Sequence, residues 1–334
     1  MASVKLAIDF GSIDTNIYLV GSGLVLSEPT VATVDVENMY EIKLFGHEAK
    51  KMIGKTSKNT KVVFPVFEGE IVNQTVAVAL INKFLNKLEL KNANGCQVLF
   101  SVPCGVTAEM IDKYKKVARV CGFSKVNFVE APILSIIGQK VPFNNSSSYF
   151  VIDMAGGSTN IAAVSMDGVI SGVSLNYGAN NINIEIMDYI ADTYGLQIGL
   201  LSAEKLKKDI GSLAQNDMLA TVVNGRDLET GAPRSISIKA EDVKIPIRKY
   251  YDRIYDYANA LLTKLPPEVS AEVRRLGVYV SGIASNIYGL EKYYTDKFNV
   301  KINISEHAGL TVALGGGIAL EDSSLLKKII ISEK

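Results

Sequence analysis

The chain has no tryptophan, only two histidines and only three cysteines in 334 residues. His47 and His307 leave little from which to build a zinc site or a Ser-His-Asp triad. Cys96, Cys104 and Cys121 are odd in number and follow no ligand or disulfide spacing, so they read as reduced core thiols in a cytosol. Charge of one sign is not in excess: Lys plus Arg is 35 and Asp plus Glu is 35. Nothing therefore steers the chain toward nucleic acid or an anionic surface. No apolar run reaches the roughly 18 residues of a membrane span. The start, MASVKLAID, is read as passing straight into a strand, without signal-peptide architecture. The dinucleotide fingerprint GxGxxG is absent, and so is a P-loop of the form GxxxxGKS or GxxxxGKT.

What is present is ordinary for a globular protein, 48% hydrophobic and 21% charged, with length enough for two domains. The informative stretch is FVIDMAGGSTN, Phe150 to Asn160. An apolar strand ends in Asp153, a Gly-Gly turn with two hydroxyl residues follows, and a second strand returns. Gly156 and Gly157 let the backbone approach a ligand closely. Successive N–H groups in such a turn form an anion-binding concavity, to which Ser158 and Thr159 add hydroxyl donors. Asp153 can hold a hydrated divalent cation against the anion. KLAIDFGSIDTN, Lys5 to Asn16, repeats the plan with Asp9, Gly11, Ser12 and Thr15. A third strand, GVYVSG, Gly277 to Gly282, also ends in Ser and Gly. Two such turns half a chain apart suggest a duplicated domain with a phosphate-bearing ligand between the halves.

Strand signals at Lys5–Ile8, Ile17–Val20, Val98–Val102 and Lys125–Val129 alternate with helical spacing at Asn73–Leu88 and Ala108–Cys121. Thr107 is placed to cap the second helix and Gly122 to stop it. Glu130-Ala131-Pro132 opens another helix. Pro142 to Tyr149, PFNNSSSY, reads as the crossing between halves. Helices are predicted over Asn181–Tyr194, Ser202–Leu213 and Lys249–Leu265, a small β region over Arg226–Lys239, and a last helix over Val312–Leu320. The alternation predicts an α/β class.

These residues resemble the superfamily of actin, heat-shock chaperones and sugar kinases, and within it the MreB-like bacterial actins. The likeness runs nearly end to end, through LSEPTVA, EAKKMIGKT, VPCGVT, NGRDLETGAPRSI and LPPEVSAEV. It implies an actin-like fold: a first domain over 1–141 with an insert near 31–75, a second over 142–317 with an insert near 182–243, and a tail from about 318 to 334 returning to the first. It implies ATP with Mg²⁺ in the cleft. Nucleotide contacts fall to Gly11, Ser12, Ile13, Asp14 and Thr15, to Gly156, Gly157, Ser158 and Thr159, to Glu204, Lys207 and Lys208, and to Gly282, Ala284, Ser285 and Asn286. Asp9 and Asp153 hold the metal through water. Self-assembly into protofilaments is implied, with paralogous bacterial actins as further partners and a cytoplasmic location at the inner face of the membrane. A small-molecule kinase of the superfamily, or a non-hydrolysing scaffold, is the alternative.

The departures from the family pattern concern chemistry. Relatives carry a second glutamate where this chain has Ala131, and an aspartate where it has Asn73. Ala155, Asn160, Ala179 and Asn180 replace other glycines and acids. Ile283 and Ala284 stand where two further glycines are usual. The phosphate turns persist while the acids near the attacked phosphate are gone, so slow hydrolysis is expected. Membrane contact is expected to be weak or indirect, because Leu90 to Cys96 (LKNANGC) offers little apolar surface and the N-terminus is too short for a helix. The tail LLKKIIISEK is the rival anchor and is expected to pack on the first domain.

Overall fold

Apolar, β-branched runs at Lys5–Phe10 and Tyr149–Met154 become the central strands of two separate sheets. The computed structural model describes residues 4–38, 41–90, 93–143, 147–215 and 217–331. In the first sheet the strands lie in the order Lys125–Glu130, Gln97–Val102, Lys5–Phe10, Asp14–Leu19, Gly23–Pro29. In the second they lie in the order Ile302–Ile304, Val278–Ser281, Tyr149–Met154, Thr159–Ser165, Gly168–Leu175. Each central strand pairs in parallel on one side and with its own antiparallel hairpin on the other. The register repeats too. Asp9 faces Asn16 and Phe10 faces Thr15; Asp153 faces Asn160 and Met154 faces Thr159. The duplication inferred from two short turns therefore extends through two whole sheets.

Helices cover the sheets. In the first lobe these are α1 (Gly46–Lys50), α2 (Gln74–Lys87), α3 (Ala108–Cys121) and α4 (Ala131–Gly138). In the second they are α5 (Ala179–Tyr194), α6 (Leu200–Ile210), α7 (Ala240–Leu262), α8 (Pro267–Leu276) and α9 (Leu290–Phe298). The chain ends in α10 (Thr311–Glu321) and α11 (Ser323–Ile329). α3 keeps its predicted limits: the Thr107 hydroxyl accepts from the Met110 N–H, and Gly122 closes the helix at φ 92°. α7 starts nine residues before the predicted Lys249, running through Pro246. A proline inside a helix costs about 3 kcal/mol. Here Val243, Ile247, Tyr250 and Tyr251 all bury on one face of the helix, and that burial outweighs it. The β region begins earlier as well, with strands Ala220–Asp227 and Pro233–Lys239 joined by a turn held on the Asp227 carboxylate. Of the predicted crossing 142–149 and the loop 90–96, residues 144–146 and 91–92 lie outside the described residues.

One core cluster fills each lobe, and a third joins them. The third takes Ala7 and Leu99 from the first sheet, Val151 and Ala162 from the second, and Leu134, Ile137 and Leu320 from α4 and α10. The crossing of these helices is glycine-lined. A Cβ on Gly315 would lie 1.9 Å from the Leu134 carbonyl oxygen, and one on Gly138 would lie 2.0 Å from that of Thr311. Gly315→Val is thus expected to destabilise the protein by about 2–4 kcal/mol, because backbone cannot give way as a side chain can. Chemical denaturation of parent and variant measures it; an unchanged midpoint would show that the helices can separate freely. The tail also packs inward. Leu326 and Ile329 are buried, and the Ile331 N–H donates to Phe128 O. Residues 332–334 lie outside the described residues. No helix among the described residues is long and apolar enough to cross a membrane.

Candidate functional site: a cleft between two Asp-Gly turns

The turns that follow Asp9 and Asp153 meet face to face. A Cβ on Gly157 would sit 2.6 Å from Ser12 Oγ, and one on Gly156 would sit 2.4 Å from Ile13 Cγ1. Glycine is required because the opposite turn occupies the space a side chain would need. Behind the second turn, the first N–H groups of α5 bond its carbonyls: Ala179 N to Ala155 O and Asn180 N to Gly156 O, both 2.9 Å. Ser12 Oγ accepts from the Gly69 N–H at 3.2 Å, which ties the first turn to the hairpin of 66–71.

Two of the four predicted hydroxyl donors are turned away. Thr15 is the second residue of its returning strand and Thr159 the first of its own, and both are fully buried. The Thr15 hydroxyl pairs with that of Thr30 at 2.8 Å. The Thr159 hydroxyl donates to Tyr177 O at 2.7 Å and adjoins the Tyr250 hydroxyl. Strand alternation aims both inward, so the expectation of a donor role is corrected for these two. Ser12 and Ser158 line a small cavity of about 90 Å³, together with Asp9, Asp153, Ala131 and Gly282.

The carboxylates are matched in their partners. Ser101 Oγ donates to Asp9 at 2.6 Å, and Ser281 Oγ donates to Asp153 at 2.8 Å. Each serine sits on the parallel neighbour strand. Asn160 Nδ2 donates to the other Asp153 oxygen at 3.3 Å, while its Oδ1 accepts from the Cys104 N–H, bridging the lobes. Burial pushes the Asp9 carboxyl up to about 6, eased by the Ser101 hydrogen bond and raised again by Asp153. Burial also raises Asp153, against the hydrogen bonds from Ser281 and Asn160. Among the described residues neither carboxylate has an ammonium or guanidinium partner in contact, so a divalent cation fits the charge they present. Among the described residues no three His, Cys, Asp or Glu side chains converge as a metal site. The protein would supply two carboxylates, and water and phosphate oxygens the rest.

Next to these turns lies a larger cavity of about 880 Å³, within the range of small-molecule sites. Glu204, Lys207 and Lys208 of α6 line it, as do Ala284 and Asn286. Glu204 accepts from Lys208 at 2.7 Å and from Lys50 of α1, in the opposite lobe, at 2.9 Å. Burial pushes the Glu204 carboxyl up, but these two ammoniums hold it below its ordinary value. Lys207 donates to Ala179 O at 3.4 Å, and burial pulls its ammonium down to about 8. Ser285 is not a lining residue; its hydroxyl is buried and donates to Gly282 O at 2.8 Å. Gly282 has φ 84°, and a Cβ there would meet the Met154 backbone at 2.2 Å. Ile283, at 39% exposure, lies on the lip of both cavities and packs over Gly309.

Ala131, the first residue of α4, reaches the small cavity. Its neighbour Glu130 does not stand in for the missing acid, because its carboxylate accepts from the Gly105 N–H at 2.7 Å. Asn73 is placed differently from expectation. It is the N-cap of α2, its Oδ1 accepts from the Val76 N–H at 3.0 Å, and it lines neither cavity. Sequence reasoning missed Lys50 and Tyr251, both lining the large cavity. Lys50 lies in the quoted string EAKKMIGKT, but nothing local marks its ammonium as crossing to the other lobe.

Comparison with known proteins agrees with this architecture. The family described as MreB/Mbl protein matches residues 3–328. The chain belongs to the MreB/Mbl family. It is 29% identical to the cell shape-determining protein Mbl of Bacillus subtilis strain 168 over 332 residues, 98% of this chain and 99% of that one. It is 30% identical to the cell shape-determining protein MreB of Haemophilus influenzae over 327 residues, 96% and 93% of the two chains. A crystal structure of MreB 5 of Spiroplasma citri bound to AMPPNP superposes with a TM-score of 0.92 at 26% identity, covering 98% of each chain. The MamK double helical filament shares the fold, with a TM-score of 0.79 at 18% identity over 96% and 99% of the chains. This MreB/Mbl chain is thus a cytoskeletal, actin-like protein, and its cleft lies between two copies of one sheet plan.

Proposed function

We propose that the protein binds ATP with Mg²⁺ in the cleft between its lobes, assembles into protofilaments of its own copies, and hydrolyses the nucleotide slowly. The observation that carries this reading is the pair of carboxylates, Asp153 buried and Asp9 half-buried, in matched registers beside two facing glycine turns. The turns offer backbone N–H groups to phosphate oxygens. Asp9 and Asp153 would hold Mg²⁺ through water, and the ion would neutralise charge on the phosphates. Glu204, Lys207 and Lys208 would hold the adenosine end. Gly282 lets the 281–286 segment pass close behind Met154, while Ile283 narrows the lip. Ala131 can neither orient a water nor carry its proton, so binding and chemistry separate in this chain.

The domain limits near 141 and 317 belong to the same proposal, as do paralogous bacterial actins as co-assembly partners. Membrane contact is proposed to be weak or indirect, since the apolar side chains Leu326 and Ile329 are buried within the protein. Nucleotide-bound crystal structures of MreB 5 of Spiroplasma citri, with AMPPNP and with ADP, support the cleft assignment. Sedimentation and electron microscopy of purified protein test assembly. Polymer is expected with ATP and less with ADP. A strictly monomeric species under every nucleotide and salt condition would favour a kinase instead.

A further inference from the structure

Lys50 is the ammonium that reaches Glu204 from the opposite side of the large cavity. Lys208 lies four residues from Glu204 on α6 itself and moves with it. Lys50 lies on α1, on the facing wall of the cavity, and the pair is largely shielded, with the side chains 27% and 18% exposed. Both ammoniums approach the same carboxylate oxygen, Oε1. No hydrogen bond to Oε2 is present among the described residues. Asp14, His47 and Lys207 are further charged or titratable groups near this contact. A carboxylate clamped at one oxygen by two cations from different lobes has a fixed rotamer, and its second oxygen keeps its lone pairs for a donor.

We propose that Lys50 is a positioning residue for sugar recognition. It holds Glu204 so that Oε2 accepts a ribose hydroxyl, and it does so only while the lobes are closed. This role rests on the nucleotide reading above. It couples the ribose contact to lobe closure without any residue of the phosphate turns. A ligand lacking ribose hydroxyls should be blind to Lys50, whereas a simple attraction of Lys50 for phosphate charge should act on every nucleotide alike.

Equilibrium titration of ATP and of 2′,3′-dideoxy-ATP, each with Mg²⁺, separates these cases in the parent, Lys50→Met and Lys50→Arg proteins. Lys50→Met is expected to weaken ATP about 10-fold, the loss of one charge-assisted contact. It should leave the dideoxy analogue within about twofold, and Lys50→Arg should also weaken ATP selectively, because a guanidinium fork engages both carboxylate oxygens and competes for Oε2. Dissociation of ATP should be faster in Lys50→Met and less sensitive to salt than in the parent. Equal weakening of both nucleotides, or no change in either, would overturn the role of Lys50 while leaving nucleotide binding intact. A parent that binds neither nucleotide would overturn the cleft assignment, and this role with it.

Discussion

Ala131→Glu is expected to raise steady-state phosphate release at saturating ATP by about 10- to 100-fold, at or below the lower limit of the ~10²–10⁴-fold range for a general base. Residue 131 is the N1 position of α4, and Pro132 after it fixes the backbone, so the side chain has one direction to take. That direction ends in the small cavity shared with Asp9, Asp153 and Ser158. A carboxylate there could orient a water against the terminal phosphate and share its proton. The gain should fall short of full activity for two reasons. A third acid beside the carboxylates of Asp9 and Asp153 is partly protonated, and Ile283 narrows the lip where the nucleotide lies. Asn73→Asp is a useful control. Aspartate caps a helix as well as asparagine does, and residue 73 lines neither cavity. Its rate should therefore stay within about twofold of the parent. Phosphate release from the parent, each single variant and the double variant decides the matter. A parent already as fast as Ala131→Glu would show that another group activates the water.

Asp153→Asn is expected to lower affinity for Mg²⁺-ATP by about 10- to 100-fold, the usual cost of losing a group that orients a metal's ligands. Affinity for ATP in a chelator should change far less, because the glycine turns are untouched. Acid should mimic the substitution. Asp9 titrates near 6 in the folded protein, so Mg²⁺-dependent affinity should fall as pH drops through 6 and the carboxyl takes up its proton. The stability of the cation-free protein should run the other way. The same carboxyl titrates near 3.8 in an unfolded chain. The folded state therefore holds the proton more tightly between about pH 4 and 6, and stability is lost as pH rises through that window. Thermal melts with and without Mg²⁺-ATP from pH 5 to 8 should show the ligand-induced shift growing with pH. A shift that is flat across this range, or an Asp153→Asn protein with parental affinity, would remove the carboxylates from the site.

What the sequence disclosed was local. An apolar strand, an acid, glycines and a returning strand are contiguous, so the duplicated turns were legible, and so were the strands beside them. The same holds for α3, whose cap at Thr107 and stop at Gly122 are neighbours of the helix they bound. Rules of local propensity failed where tertiary contacts decide. Pro246 marks a boundary by propensity, yet the burial of Tyr250 and Tyr251 carries α7 through it. Thr15 and Thr159 look like turn hydroxyls, yet each pairs with the last residue of the central strand of its sheet and its side chain belongs to the core. Asn73 matched a family position, but its side chain is engaged by its own helix. Lys50 and Glu204 are 154 residues apart, and only the folded chain brings them together.

The central claim is that two facing Asp-Gly turns bind one Mg²⁺-nucleotide between the lobes. Calorimetric titration of the purified parent with ATP, with Mg²⁺ and with a chelator in its place, addresses it directly. The expected result is saturable binding of one ATP per chain, weakened at least about 10-fold when Mg²⁺ is removed. No measurable binding in the presence of Mg²⁺, or binding indifferent to it, would contradict the claim.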